Sequence, residues 1–123
     1  MKFFNLSFIL IIISFANIFS QTTDTLLSEN QAIRILMNKI ENDSVYSAWT
    51  KMECLQFFTD KIDGKYFIVT IRENHNEDCT GSHLTNPRVD TFKILRDSKK
   101  ILWYNLPDDK FEEYNDFVNI RNK

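Results

Sequence analysis

The chain has few of the residues on which turns, disulfide bonds and catalytic sites usually depend. Its 123 residues include two glycines, two prolines, two cysteines and two histidines. No G-x-G-x-x-G, Walker A or H-E-x-x-H pattern occurs, so the common phosphate-binding and metalloprotease motifs are excluded. A net charge of −2 excludes a nucleic-acid binder that depends on positive charge. The length suits one domain and excludes a multidomain enzyme and a Rossmann or barrel scaffold. With two histidines, two cysteines and two glycines, the chain has little material for a catalytic site, so we expect a protein that is not an enzyme.

The first twenty residues contain no acid and one base, Lys2. An apolar run from Phe8 to Phe15 precedes a polar segment that begins at Gln21, as in a secretory signal peptide. A membrane anchor is the alternative, but the apolar core is shorter than the about 18 residues that a span needs. No cysteine lies near the cleavage point, so a lipid anchor is not expected. We predict a signal peptide (1–20), a flexible lead (21–27) and a single domain (28–120). The expected location is periplasmic or secreted, with no membrane contact after cleavage.

A helix follows the lead. Ser28 and Gln31 have the spacing of a capping box, in which each side chain satisfies the backbone N–H of the other residue. Apolar residues then recur with helical spacing until the helix ends near residues 42–43. These residues are Ile33, Leu36, Met37 and Ile40.

Four later stretches are typical of β-strands: 49–59, 65–73, 89–96 and 101–104. Asp63-Gly64 is the turn signal between the first two. The second strand carries apolar residues on both faces, which predicts a central strand covered on both sides. Trp49, Trp103 and Tyr104 are expected in the core.

Pro107 suits the first turn of a second helix, with acids after it that complement the helix dipole. Its apolar stripe would be Phe111, Tyr114, Phe117 and Val118. The predicted fold class is α+β, a two-layer sandwich with an N-terminal helix, a four-stranded antiparallel sheet and a C-terminal helix.

The two cysteines, Cys54 and Cys79, are expected to form a disulfide, which is the usual state in an exported chain. Cys79 lies in residues 74–87, which lack apolar periodicity and are predicted to form a long loop. Long loops in compact domains are usually functional or disordered. Strand alternation places Cys54 with Gln56 and Phe58, facing away from the helices. The disulfide would then hold the loop over or beside this outer face of the sheet.

Ionisable side chains concentrate in and beside this loop: Glu73, His75, Glu77, Asp78 and His83. Imidazole and carboxylate groups bind zinc, but the eight-residue spacing of the histidines matches no known zinc motif. We therefore assign no metal, no cofactor and no catalytic residue.

Two carboxylates flank the loop, Glu73 and Asp90. They could form a carboxylate pair, but the neighbouring Arg72 and Arg88 favour ion pairs that fix the base of the loop.

The order of elements from Ser28 to Tyr104 resembles that of PepSY-like domains. The residues that carry the resemblance are Asn30-Gln31-Ala32-Ile33 at the helix start and Lys100-Ile101-Leu102-Trp103-Tyr104-Asn105 in the last strand. The resemblance implies an exported domain that acts as a non-catalytic inhibitor or binding module. The cysteine-bearing insert at 74–87 departs from the family pattern. The segment from Arg72 to Gly81, continued from Pro87 to Phe92, is also similar to small exported bacterial proteins without an assigned activity.

These observations predict an exported, non-enzymatic module that binds a protein or peptide and would suit the inhibition of a hydrolase. We expect the loop to carry the contacts, with His75, Asp78, His83 and Arg88 at its rim. One alternative is a metal-binding periplasmic protein that uses His75, Asp78 and His83. The other is a structural envelope component with no discrete site.

Overall fold

The computed structural model describes residues 25–82 and 84–122. The predicted signal peptide at 1–20, most of the predicted lead and His83 lie outside the described residues. The helices and strands are α1 (Glu29–Asn42), β1 (Leu55–Ile62), β2 (Tyr66–Glu73), β3 (Arg88–Leu95), β4 (Ile101–Asn105), β5 (Lys110–Glu113) and α2 (Tyr114–Arg121). A 3₁₀ turn at Met52–Cys54 precedes β1, so the first strand begins later than predicted.

The sheet is antiparallel, and its strands lie in chain order from β1 to β5. The α+β class is therefore confirmed, but the described residues form five strands where the sequence predicted four. Each strand pairs with the one before it. The connections differ in length: the Asp63-Gly64 turn joins β1 to β2, and the long loop at 74–87 joins β2 to β3. Since β1 and β5 are the edges, β2 is an interior strand, as predicted.

The additional strand, β5, occupies residues that were predicted to begin the second helix. Pro107 lies in a turn instead, and the Asp109 N–H donates to the Leu106 carbonyl at 3.2 Å. Asp109 has a φ of 50°, a left-handed conformation that Asp tolerates better than most residues. The turn sends the chain back along β4, where the Phe111 and Tyr104 rings lie 5.3 Å apart across the two strands. The second helix is therefore shorter than predicted and begins at Tyr114.

The capping box of α1 is confirmed. The Ser28 hydroxyl accepts from the Gln31 N–H at 3.3 Å, and the Gln31 side chain accepts from the Ser28 N–H at 2.9 Å. The buried stripe of the helix is Ala32, Leu36 and Ile40. The prediction that Met37 is buried is wrong, because the helix packs with the small Ala32 against the sheet and turns Met37 to solvent.

Both helices pack on one face of the sheet, where alternate residues of β2, β3 and β4 form the core. The other face of β2 is also covered in part, since Thr70 is buried there and Tyr66 and Ile68 are half-buried. Lysine side chains contribute to this cover. The Lys93 ammonium lies 4.7 Å from the centre of the Tyr66 ring and 4.2 Å from that of Phe111. Such lysines shield apolar surface with their stems while the charge reaches water.

The ordered fold begins before the predicted domain boundary at residue 28. Leu27 is buried, its N–H donates to the Arg96 carbonyl at 3.0 Å, and its own carbonyl accepts from Arg96 Nε at 3.0 Å. Leu27, which falls in the predicted lead, is therefore anchored to Arg96. Within residues 25–82 and 84–122, neither helix is long and apolar enough to cross a membrane.

Candidate functional site: the loop end of the sheet

One end of the sheet gathers segments from four parts of the chain. In the antiparallel order, β1 and β3 begin at this end, and β2 and β4 finish there. It therefore carries the connection from α1 to β1, the loop at 74–87 and the turn at 106–109. The end of α2 joins them, because Arg121 lies over the ring of Trp49. We call this region the loop end.

The predicted disulfide between Cys54 and Cys79 is confirmed, and it fixes the long loop to the loop end. The Cys54 and Cys79 sulfurs are 2.01 Å apart, and the Cα atoms are 5.7 Å apart. Cys54 lies in the 3₁₀ turn before β1 rather than within a strand, and it is buried. Both ends of the loop are also tied to the start of β1. The Asn74 N–H donates to the Cys54 carbonyl at 2.7 Å, and the Asn86 amide donates to the Gln56 side chain at 3.1 Å.

His75 organises the interior of the loop. Its Nε2 lies 2.6 Å from a Glu73 carboxylate oxygen, and its Nδ1 lies 2.9 Å from the Ser82 carbonyl oxygen and 3.1 Å from the Thr85 hydroxyl. The carboxylate and the carbonyl only accept, so the doubly protonated imidazolium satisfies both contacts. The hydrogen bond to Glu73 raises the pKa of His75 above its ordinary value of 6.5, and the Ser82 carbonyl raises it further.

Gly81 allows the imidazole to lie against the backbone of the loop. Its φ is 113°, a conformation that side chains rarely adopt, and a Cβ atom there would lie 2.5 Å from His75 Cε1. Only a residue without a side chain fits this contact. The loop is therefore built around the histidine ring, whose side chain is 9% exposed.

The predicted binding residues do not converge. His75 points into the loop, Asp78 and Arg88 are exposed, and His83 lies outside the described residues. Within residues 25–82 and 84–122, no hydrogen bond or ion pair joins His75, Asp78 and Arg88 to one another. In the same ranges, no group of three His, Cys, Asp or Glu side chains is close enough to hold a metal ion.

The two carboxylates that flank the loop have other partners than those predicted. Glu73 pairs with His75, and the Arg72 guanidinium donates to the Asn86 carbonyl at 3.0 Å. Asp90 bonds neither flanking arginine. The predicted ion pairs with Arg72 and Arg88 are therefore wrong, because strand alternation turns Asp90 toward the core and away from both arginines.

Asp90 is a buried carboxylate that three parts of the chain share. It accepts from the Tyr46 hydroxyl at 2.7 Å, from the Trp103 indole N–H at 3.0 Å and from Arg121 Nη2 at 3.1 Å to each oxygen. Burial, and the negative charge of Asp90 beside it, raise the pKa of Tyr46 well above its ordinary value. The network thus joins the α1–β1 connection, β4 and α2 at the loop end.

A groove of about 730 Å³ opens above this network. The residues that line it include Trp49, Asp90, Trp103, Leu106, Ile120 and Arg121.

Trp49 forms one wall of the groove, with the Arg121 guanidinium 5.5 Å from its ring centre and the Tyr46 ring edge-on at 5.1 Å. On its other side, Trp49 lines a small pocket together with Glu73 and His75. The groove and the disulfide-bonded loop are therefore neighbours. The core position predicted for Trp103 is confirmed, but that for Trp49 is wrong, since nearly half of its surface is exposed.

The sequence carried a signal for the buried carboxylate. Asp90 lies on the same face of β3 as Phe92 and Ile94, which were predicted to face one way. Strand alternation therefore indicated a charged residue in the core. The groove had no comparable signal, because its walls come from residues that are distant in the chain.

Comparisons with profiles of protein families, with curated proteins and with solved structures return no match to this chain.

Proposed function

We propose that the protein is an exported, non-enzymatic module that binds a protein or peptide through the loop end. The observation that carries this proposal is the exposure of large apolar side chains there, one from each converging segment. Trp49 is 44% exposed, Leu84 95%, Leu106 74% and Ile120 52%. Apolar residues that gather on a surface with a polar rim are typical of interaction sites.

The rigidity of the loop end supports a binding role. The disulfide and the contacts of His75 hold the long loop, and Asp90 holds Trp49's segment and α2 against the sheet. A surface that is ordered before binding loses less conformational entropy when a partner arrives. Loops fixed on a rigid sheet are a common way to present contact residues.

Export is supported by two observations. The disulfide is consistent with an oxidising compartment, and the N-terminal sequence has the pattern of a signal peptide. The resemblance to PepSY-like domains points the same way and adds the inhibition of a hydrolase as a candidate role.

Within this proposal, the predicted contact residues have different parts. Asp78 and Arg88 are exposed and available to a partner, whereas His75 shapes the loop from inside.

The test is capture of a partner from the envelope and secreted fractions of the producing organism, with the oxidised protein as bait. A variant with Leu106→Ser and Ile120→Ser removes apolar surface from the loop end. A matched control with Leu26→Ser and Ile62→Ser changes side chains that are 52% and 62% exposed elsewhere. We expect the control to keep the partner and the loop-end variant to lose it. Equal capture by both variants would contradict the proposal.

A further inference from the structure

We infer that the groove binds a peptide segment in which bulky apolar side chains are flanked by lysine or arginine. This inference rests on the proposed function, because it names the chemistry of the partner that the loop end would bind. It depends on the apolar lining of the groove and on the sign of the charge at its rim.

The groove is shaped for apolar side chains. Its floor is the buried Trp103, and its walls include the exposed Trp49, Leu106 and Ile120. A volume of about 730 Å³ has room for several side chains, since sites of about 300–1,000 Å³ hold drug-sized ligands. Tryptophan is frequent among the residues that contribute most of the binding energy at protein interfaces.

Among residues 25–82 and 84–122, the side chains that line the groove leave a negative charge without an opposite partner. Arg121 is the cation in that lining, but its Nη2 lies 3.1 Å from both oxygens of Asp90, so the two charges offset each other. Asp108 lines the groove, and Asp109 follows it in the same turn. Among the residues that the structure describes, neither has a cationic partner within 4.0 Å. Glu112 and Glu113, which follow in β5, pair with Lys110 and Lys100, so the uncompensated negative charge of this wall is that of Asp108 and Asp109.

This combination favours a cationic, apolar peptide over other occupants. An anionic lipid surface or a nucleic acid would be repelled by the acidic wall. A second copy of the chain would bring the same acidic wall to a symmetric interface, where like charges would face each other. A peptide with apolar residues beside lysine or arginine matches both the lining and the rim.

The test is a titration of the purified, disulfide-bonded protein with two synthetic peptides, followed by ¹H–¹⁵N NMR. Both peptides carry the core Leu-Phe-Leu, flanked by lysines in one and by glutamates in the other. The chain has two tryptophans, Trp49 and Trp103, and both line the groove, so their indole N–H signals report on its occupancy. The variant Asp108→Asn/Asp109→Asn removes the rim charge, and Asn keeps the positive φ accessible at the second position. Asp97→Asn is the matched control in a turn at the other end of the sheet.

We expect the lysine peptide to shift both indole signals and to bind about two- to fivefold more tightly than the glutamate peptide, as exposed ion pairs do. The Asp108→Asn/Asp109→Asn variant should lose this preference, and Asp97→Asn should keep it. Equal binding of the two peptides would overturn the charge argument. No indole shift with either peptide, or indole shifts that depend only on protein concentration, would overturn the peptide assignment. Partner capture that still depends on Leu106 and Ile120 would then leave the proposed function standing.

Discussion

Replacing Asp90 with alanine tests whether the buried network holds the loop end together. The variant leaves the hydroxyl of Tyr46 and the indole N–H of Trp103 without their acceptor, and both residues are buried. A buried donor without a partner costs about 1–3 kcal/mol, so the two together cost about 2–6 kcal/mol. The side chain of Arg121 is 32% exposed and can be hydrated in the variant, so the loss of its ion pair with Asp90 adds little to the cost. We expect a fall of about 3 kcal/mol in the free energy of unfolding, where a domain of this size has about 5–15 kcal/mol.

A second substitution makes the expectation specific. In the Asp90→Ala background, Tyr46→Phe removes one of the two orphaned donors, so it should restore about 1 kcal/mol. In the wild-type protein, the same change removes a hydrogen bond and should cost about 1 kcal/mol. The sign of the effect of Tyr46→Phe therefore reverses with the residue at position 90.

The measurement is urea unfolding of the four proteins in the cycle, followed by far-UV circular dichroism. Glu77→Ala is the control, because it removes one negative charge from an exposed position in the loop and should change stability by less than about 0.5 kcal/mol. A cost below about 1 kcal/mol for Asp90→Ala would show that the buried donors do not depend on this carboxylate. So would a Tyr46→Phe effect of the same sign in both backgrounds.

Three further predictions concern the loop. Reduction of the disulfide, which closes a sequence separation of 25 residues, should lower the free energy of unfolding by about 3.5 kcal/mol. Guanidinium unfolding with and without reductant measures this change, and equal midpoints would contradict it. Gly81→Ala should displace His75 and make the loop more sensitive to proteolysis, whereas Gly64→Ala, with no heavy atom within 4 Å of the new Cβ, should not. Because the pKa of His75 is raised, its stabilising contribution should be complete below the unfolded pKa of about 6.5 and should be lost as the pH rises through the folded value. Glu73→Gln should flatten this dependence in thermal melts between pH 5 and 9, and an unchanged profile would argue against the histidine–carboxylate contact.

The predictions that succeeded depend on residues close together in the chain or on covalent chemistry. The capping box at Ser28 and the turn at Asp63-Gly64 need only local spacing, and both are present. The disulfide followed from the presence of two cysteines in a chain expected to be exported. Each of these features has a physical cause that acts within a few residues or forces one pairing.

The predictions that failed depend on tertiary contacts. Pro107 followed by acids is typical of a helix start, yet pairing with β4 and packing against Tyr104 made Phe111 part of a strand. Met37 fits the apolar face of α1 by spacing, but the helix packs on the sheet through the stripe of Ala32, Leu36 and Ile40. The partners of Asp90 lie 13 to 44 residues away in the chain, and no local pattern indicates them.

The candidate site was predicted only in part. The sequence indicated a disulfide-bonded loop rich in ionisable residues, and that loop lies at the loop end. It did not indicate that Trp49, Leu106 and Ile120 would border a groove beside the loop, because three separate segments meet there only after folding.

The most direct test of the binding surface is photocrosslinking in the producing cells. A photoreactive phenylalanine analogue would replace Leu106 at the loop end in one strain and Ile62 in another, since both side chains are well exposed. We expect a discrete crosslinked adduct from position 106 and none from position 62. Adducts of equal yield from both positions, or an adduct from position 62 alone, would contradict the assignment of the loop end as the binding surface.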